Sequence, residues 1–143
     1  MSPVVNLASF VLLGLLTVNA VGQNQVDPPT PLRVVSVNYP KSARLFAVEA
    51  TVELVATVGP RGEVQSIRVA KGHAILERVA KNSLSEWRFT PCFTGNCEAK
   101  VSFAFSLSGW CDEGDASCQS ETTEFELPGS VSVRSQHLRG TIH

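Results

Sequence analysis

The sequence predicts an α+β fold: a small antiparallel three-stranded sheet packed by helices, with extra strands toward the carboxyl end. Three stretches predict it. Thr51 to Val58 alternates, with Val52, Leu54, Ala56 and Val58 on one face and Thr51, Glu53, Val55 and Thr57 on the other. That is the period of a half-buried strand. From Leu76 the period lengthens to nearly four, and Leu76, Ala80, Leu84 and Trp87 form the apolar stripe of an amphipathic helix of about four turns. Alternation returns over Glu98 to Leu107, where Val101, Phe103, Phe105 and Leu107 oppose Lys100, Ser102, Ala104 and Ser106.

The remaining elements fit around these three. Residues 1–20 hold no Asp, Glu, Lys or Arg, and Phe10 to Leu16 is an apolar run broken only by Gly14. The run is shorter than the ~20 residues of a spanning helix. Small residues in Val18-Asn19-Ala20 suit cleavage after Ala20, or after Gly22, so 1–20 reads as an export signal, with a short membrane anchor as the alternative. Residues 21–36 are a linker held extended by Pro28, Pro29 and Pro31. At ~3.3–3.6 Å per residue, Val21 to Asn38 reaches only about 60 Å.

Tyr39-Pro40 opens the folded part, 37–108, and Lys41 to Phe46 suits a short helix. Gly59-Pro60-Arg61-Gly62 is a turn, and Glu63 to Ala70 is the return strand of a hairpin. The apolar phase slips near Gln65-Ser66, which predicts a bulge. Pro91 ends the helical region. Thr122 to Leu127 and Ser130 to Arg134 read as strands around Pro128-Gly129, within a 109–135 segment of disulfide loop and added strands; 136–143 reads as a mobile polar tail.

A net charge of −1 with scattered Lys and Arg gives no nucleic-acid footprint. With 43% hydrophobic and 17% charged residues, the chain has material for a packed core and is not of the disordered class. Cys92, Cys97, Cys111 and Cys118 are an even set that reads as two disulfides in an exported chain. Three connectivities are open: a local one, Cys92–Cys97 with Cys111–Cys118, and two crossed ones. A zinc site competes, but Cys-x4-Cys and Cys-x6-Cys are looser than the usual ligand spacing. His73, His137 and His143 lack a nucleophile-elbow partner. Asp112, Glu113 and Asp115 do not have EF-hand spacing and read as a solvated acidic loop. The Gly59–Gly62 turn lies between strands and is no phosphate loop. Trp87, Phe89 and Phe103 fall on apolar phases, as core does. No cofactor or metal is expected, and an enzyme is the poorest reading.

Tyr39-Pro40 with Ala43-Arg44, the Thr51–Val58 strand, Gly62, Gly72-His73 with Leu76, and Trp87-Arg88-Phe89-Thr90-Pro91 occur in one order. Together they resemble the C-terminal domain of TonB, over about Val37 to Leu107. The resemblance implies a three-stranded sheet backed by helices, structural roles for Tyr39, Pro40, Gly62, Trp87, Phe89 and Pro91, and a link to energy-dependent transmembrane transport. It also implies a partner: an extended peptide, from an outer-membrane receptor, added to an edge strand whose backbone groups template it. Glu98–Leu107 is the candidate edge, through Lys100, Ser102, Ala104 and Ser106. The alternative is that Thr122 to Arg134 covers that edge. Strand pairing could also join two copies.

The sequence departs from the family at Ala50 and Ala74, where glycine and often proline stand, and in its cysteines and short linker. That linker makes direct force transmission across the periplasm a poor fit. The leading expectation is therefore a periplasmic or secreted interaction module. A tethered transducer facing the periplasm and a structural envelope protein without receptor binding are the alternatives.

Overall fold

The computed structural model describes residues 27–95, 97–119 and 121–140. The expected signal, residues 1–20, lies outside them, as does the linker up to residue 26. The elements are β1 (Pro31–Arg33), α1 (Lys41–Leu45), β2 (Ala50–Val58), β3 (Val64–Lys71), α2 (Ala74–Ser85), β4 (Arg88–Phe89) and β5 (Cys97–Asp112). A 3-10 turn (Ala116–Gln119), β6 (Thr122–Glu126) and β7 (Ser130–Arg139) follow. β1 and β4 pair as a small ribbon, and the other strands form one five-stranded sheet in the order β3-β2-β5-β7-β6. Every neighbouring pair is antiparallel except β5 and β7, which run parallel. The extra strands thus join the same sheet and make it mixed.

The β2–β3 turn closes through Gly62 N–H to the Gly59 carbonyl at 3.0 Å and Gly59 N–H to the Glu63 carbonyl at 2.8 Å. Gly62 has φ +79°, and a Cβ there would lie 1.9 Å from the Phe89 carbonyl oxygen. Phe89 N–H in turn donates to the Gly62 carbonyl at 2.8 Å. Only glycine tolerates both the left-handed backbone and this close approach. The expected bulge is present: Thr57 faces Ser66 while Val58 faces Val64, so Gln65 is the extra residue. A second shift separates the pairs Glu53–Lys71 and Leu54–Val69.

α2 is capped at its start by His73, whose Nδ1 accepts the Ile75 N–H at 3.3 Å, and ends at Ser85. It stops two residues short of Trp87, the last residue of its expected apolar stripe, yet Trp87 is fully buried. Its ring centroid lies 6.0 Å from those of Phe89, Phe103 and Phe125. The indole N–H donates to Ser83 Oγ at 3.2 Å, and that hydroxyl donates to the Val35 carbonyl at 2.7 Å. The relay satisfies both buried polar groups.

Three expected boundaries need correcting. The 21–36 linker includes β1, and Val34 and Val35 pack against the core, so its last residues belong to the fold. The third strand does not end at Leu107: β5 continues through Gly109 (φ +74°) to Asp112. Residues 136–139 of the expected tail are strand, because Leu138 is buried with Cys111 and Cys118 in a second small apolar cluster. The disulfides take the local connectivity, Cys92–Cys97 and Cys111–Cys118.

Candidate functional site: the edges of the sheet

The four candidate edge residues lie on the sheet face opposite the helices, but their strand is interior. Ser102 pairs with Ser130, Ala104 with Ser132 and Ser106 with Arg134. Ser102 N–H donates to the Gly129 carbonyl at 2.8 Å. Glycine is needed at 129 for closeness alone, since a Cβ would stand 2.6 Å from the Lys100 carbonyl oxygen. The expectation of an open edge at Ser102–Ser106 is therefore corrected, and the alternative cover by the Thr122–Arg134 segment is what the fold contains. The physical reason is burial. Val131, Val133 and Leu138 of β7 are all buried, and each such side chain contributes about 1.5–3 kcal/mol when fully removed from water. An open β5 edge has nothing of that size to offer.

Lys100 precedes the first β5–β7 pair and borders two shallow depressions. One, of about 340 Å³, is lined by Pro28, Pro29, Glu98, Ala99, Lys100 and Pro128. The other, of about 420 Å³ on the outer sheet face, includes Glu53, Val55, Arg68, Lys100, Ser102 and Gly129.

The outermost strands are β3 and β6. β3 is irregular, with its extra Gln65, and carries Arg68 and Lys71. β6 pairs with β7 through five consecutive residues, Thr122–Arg134 to Glu126–Ser130, without a shift. Glu121, Glu124 and Glu126 give this edge its charge. Glu124 meets Arg134 at 3.6 Å with both side chains well exposed, and the Glu121 carboxylate accepts the Tyr39 N–H.

The family-motif residues hold the frame. Tyr39 Oη donates to the Val48 carbonyl at 2.7 Å, and its ring stands edge-on to Phe105 at 5.4 Å. Burial, with the nearby Glu49 carboxylate adding to it, pushes the phenol up to about 12. Pro40 is the N-cap of α1. Phe89 is buried, and Pro91, exposed, leads the chain out of β4 toward Cys92. Arg44 was only part of a motif in the sequence, yet it is a hub. Its Nε donates to the Gln136 carbonyl at 2.9 Å, and its Nη2 lies 3.2 Å from the Cys118 carbonyl and 3.3 Å from Cys111 Sγ. It ties α1 to β5, the 3-10 turn and β7. These partners are 67 to 92 residues away, so no local pattern could announce them.

Two further groups have plain structural places. His137 stacks on Trp110 at 4.5 Å, with the Arg139 guanidinium 5.7 Å from the indole centroid. Glu113 of the acidic loop forms an ion pair with Lys41.

The described residues thus form a mixed sheet with β3 and β6 at its margins, held by two disulfides and packed against α2. The profile of the family described as Gram-negative bacterial TonB protein C-terminal matches residues 35–107, about half of the sequence, and the chain belongs to that family. Membership places it among protein-interaction domains linked to transport, whose members are not enzymes. Among solved structures, it is similar to the solution structure of the Pseudomonas aeruginosa TonB C-terminal domain at 22% identity and a TM-score of 0.41, over 55% of this chain and 83% of that one. A comparison with curated proteins finds no match.

Proposed function

We propose that this protein is an exported, disulfide-stabilised interaction module that binds an extended segment of an envelope protein by adding it to a sheet edge. An outer-membrane receptor is the family's precedent for such a partner. The observation that carries the reading is the parallel pairing of β7 along β5 from Ser102 to Asp112. β7 reaches β5 through the 3-10 turn and β6 rather than through a tight hairpin, so the sheet is already extended by strand addition within the chain. The four cysteines, all paired, suit an oxidising compartment, and the apolar run before Ala20 supplies the export signal. No helix among the described residues is long and apolar enough to cross a membrane.

The test is capture of the partner in place. A photo-crosslinking residue is introduced at Glu124 or at Gln65, in envelope fractions under non-reducing conditions, and the crosslinked peptide is identified by mass spectrometry. A peptide from an extended segment of an envelope protein, attached at either strand, is the expected result. No crosslink from either strand would refute strand addition.

A further inference from the structure

The two open edges differ in their fitness to receive a strand. A partner strand needs an unbroken, regular ladder of N–H and C=O groups. β3 breaks that ladder twice, at Glu53/Leu54 and at Thr57/Val58 opposite it, and presents Arg68 and Lys71. A bulge and cationic side chains are the devices by which natural sheets keep an edge unpaired. β6 has neither device. Its five pairs with β7 run without a shift, and Thr122-Thr123-Glu124-Phe125-Glu126 contains no Lys, Arg or Pro.

The chemistry on β6 says what would add to it. Glu124 and Glu126 stand on one face, opposite Ser132 and Ser130. Glu126 pairs with no cation among the described residues. The other face carries Phe125, half-buried against Trp87, and beyond it Leu127, which is 52% exposed. A second copy of the chain is a poor occupant. Antiparallel self-pairing centred on Glu124 sets that carboxylate against its own copy, and parallel in-register pairing stacks every glutamate on a glutamate. Like charges directly opposite are destabilising.

We infer that β6 is the acceptor edge, and that its partner is an extended segment of another protein alternating cationic with apolar residues. The cations face Glu124 and Glu126, and the apolar side chains continue the Phe125–Leu127 face. This rests on the strand-addition reading above and names the edge and partner within it.

Short fluorescent peptides alternating lysine with valine test it on the oxidised full chain. A glutamate–valine peptide and a lysine–valine peptide with alternate amides N-methylated serve as controls. Anisotropy gives affinity, and amide hydrogen exchange gives the location. The lysine peptide is expected to bind, to protect Thr122–Glu126 amides, and to bind at least about tenfold more tightly than the glutamate peptide. Added salt should weaken it. The E124K/E126K double variant should lose about tenfold in affinity or more. Both glutamates are exposed, so the fold should survive, and E124Q/E126Q serves if it does not.

Protection appearing on β3, equal binding of the glutamate peptide, or no binding of the lysine peptide would overturn the assignment of β6 and leave strand addition standing. Equal binding by the N-methylated peptide would overturn strand addition itself, because that peptide keeps the charges and lacks the donors.

Discussion

Replacing Val133 by alanine tests whether β7 is a permanent part of the sheet or a flap that a partner could lift. Val133 is fully buried, pairs with Phe105 across β5, and sits among the apolar residues packed under the sheet. Val133→Ala removes two methyl-sized groups. At ~0.8 kcal/mol each, the transfer loss is about 1.6 kcal/mol, and the cavity left in a close-packed core brings the total to about 2.5 kcal/mol. Urea unfolding of the oxidised protein, followed by the fluorescence of buried Trp87, measures this directly. Native-state hydrogen exchange on the unmodified chain provides the second reading. Amides of β7 should open only with those of β2, at the global unfolding free energy. A loss below about 0.5 kcal/mol for Val133→Ala would show that β7 is not locked into the core. So would β7 amides opening several kcal/mol more easily than β2 amides. Either result would return β5, with Ser102, Ala104 and Ser106, to candidacy as the acceptor.

Three further perturbations probe the frame. Gly62→Ala should lower stability by about 3 kcal/mol or more, because the left-handed backbone costs roughly 1–2 kcal/mol and the rest comes from moving the Phe89 carbonyl; thermal unfolding checks it. Ser83→Ala breaks the Trp87-to-Val35 relay at its middle and leaves a buried indole N–H unpaired, an expected loss of about 2 kcal/mol in urea unfolding. Tyr39, the only tyrosine in the chain, should show a phenolate absorbance midpoint at about 12 when folded, against an ordinary value of 10.0. Its folded pKa is raised, so its contribution to stability is whole below pH 10 and is lost as pH climbs toward 12. A folded midpoint near 10 would mean that the ring is in water.

The first half of the fold was legible because its signals are local. The alternation of β2, the slip at Gln65, the Gly59–Gly62 turn and the stripe of α2 each follow from a period readable within a few residues. The obscure parts depend on distant partners. β5 past Leu107 reads Ser108-Gly109, a break in alternation, and stays in strand because β7 runs beside it with a register shift at that point. Ser135-Gln136-His137 is polar enough to resemble a tail, but Leu138 and the Arg44 contact to the Gln136 carbonyl hold it down. Val34 and Val35 follow prolines, so they looked like linker until a core lay beneath them. The candidate edge failed for the same kind of reason: alternation in Lys100–Ser106 places side chains on faces but says nothing about which strand lies alongside. The sequence did mark Thr122 to Leu127 as a strand, though not its position at the margin of the sheet.

The parallel β5–β7 pairing also fixes the order in which the molecule becomes safe. β2, β3, α2 and most of β5 precede residue 108, whereas β7, which shields β5 and completes the core with Val131 and Val133, is made later. Until then β5 displays a long row of unsatisfied backbone groups beside apolar Val101, Phe103 and Phe105. A chain cut before Ser130, by a premature stop codon or by a protease acting between the Cys111–Cys118 disulfide and Ser130 and releasing the end, would be a different kind of object. It would be a strand-seeking fragment, expected to elute in size-exclusion chromatography as larger species than the whole chain does. β7 is in that sense a shield that the chain carries for its own β5.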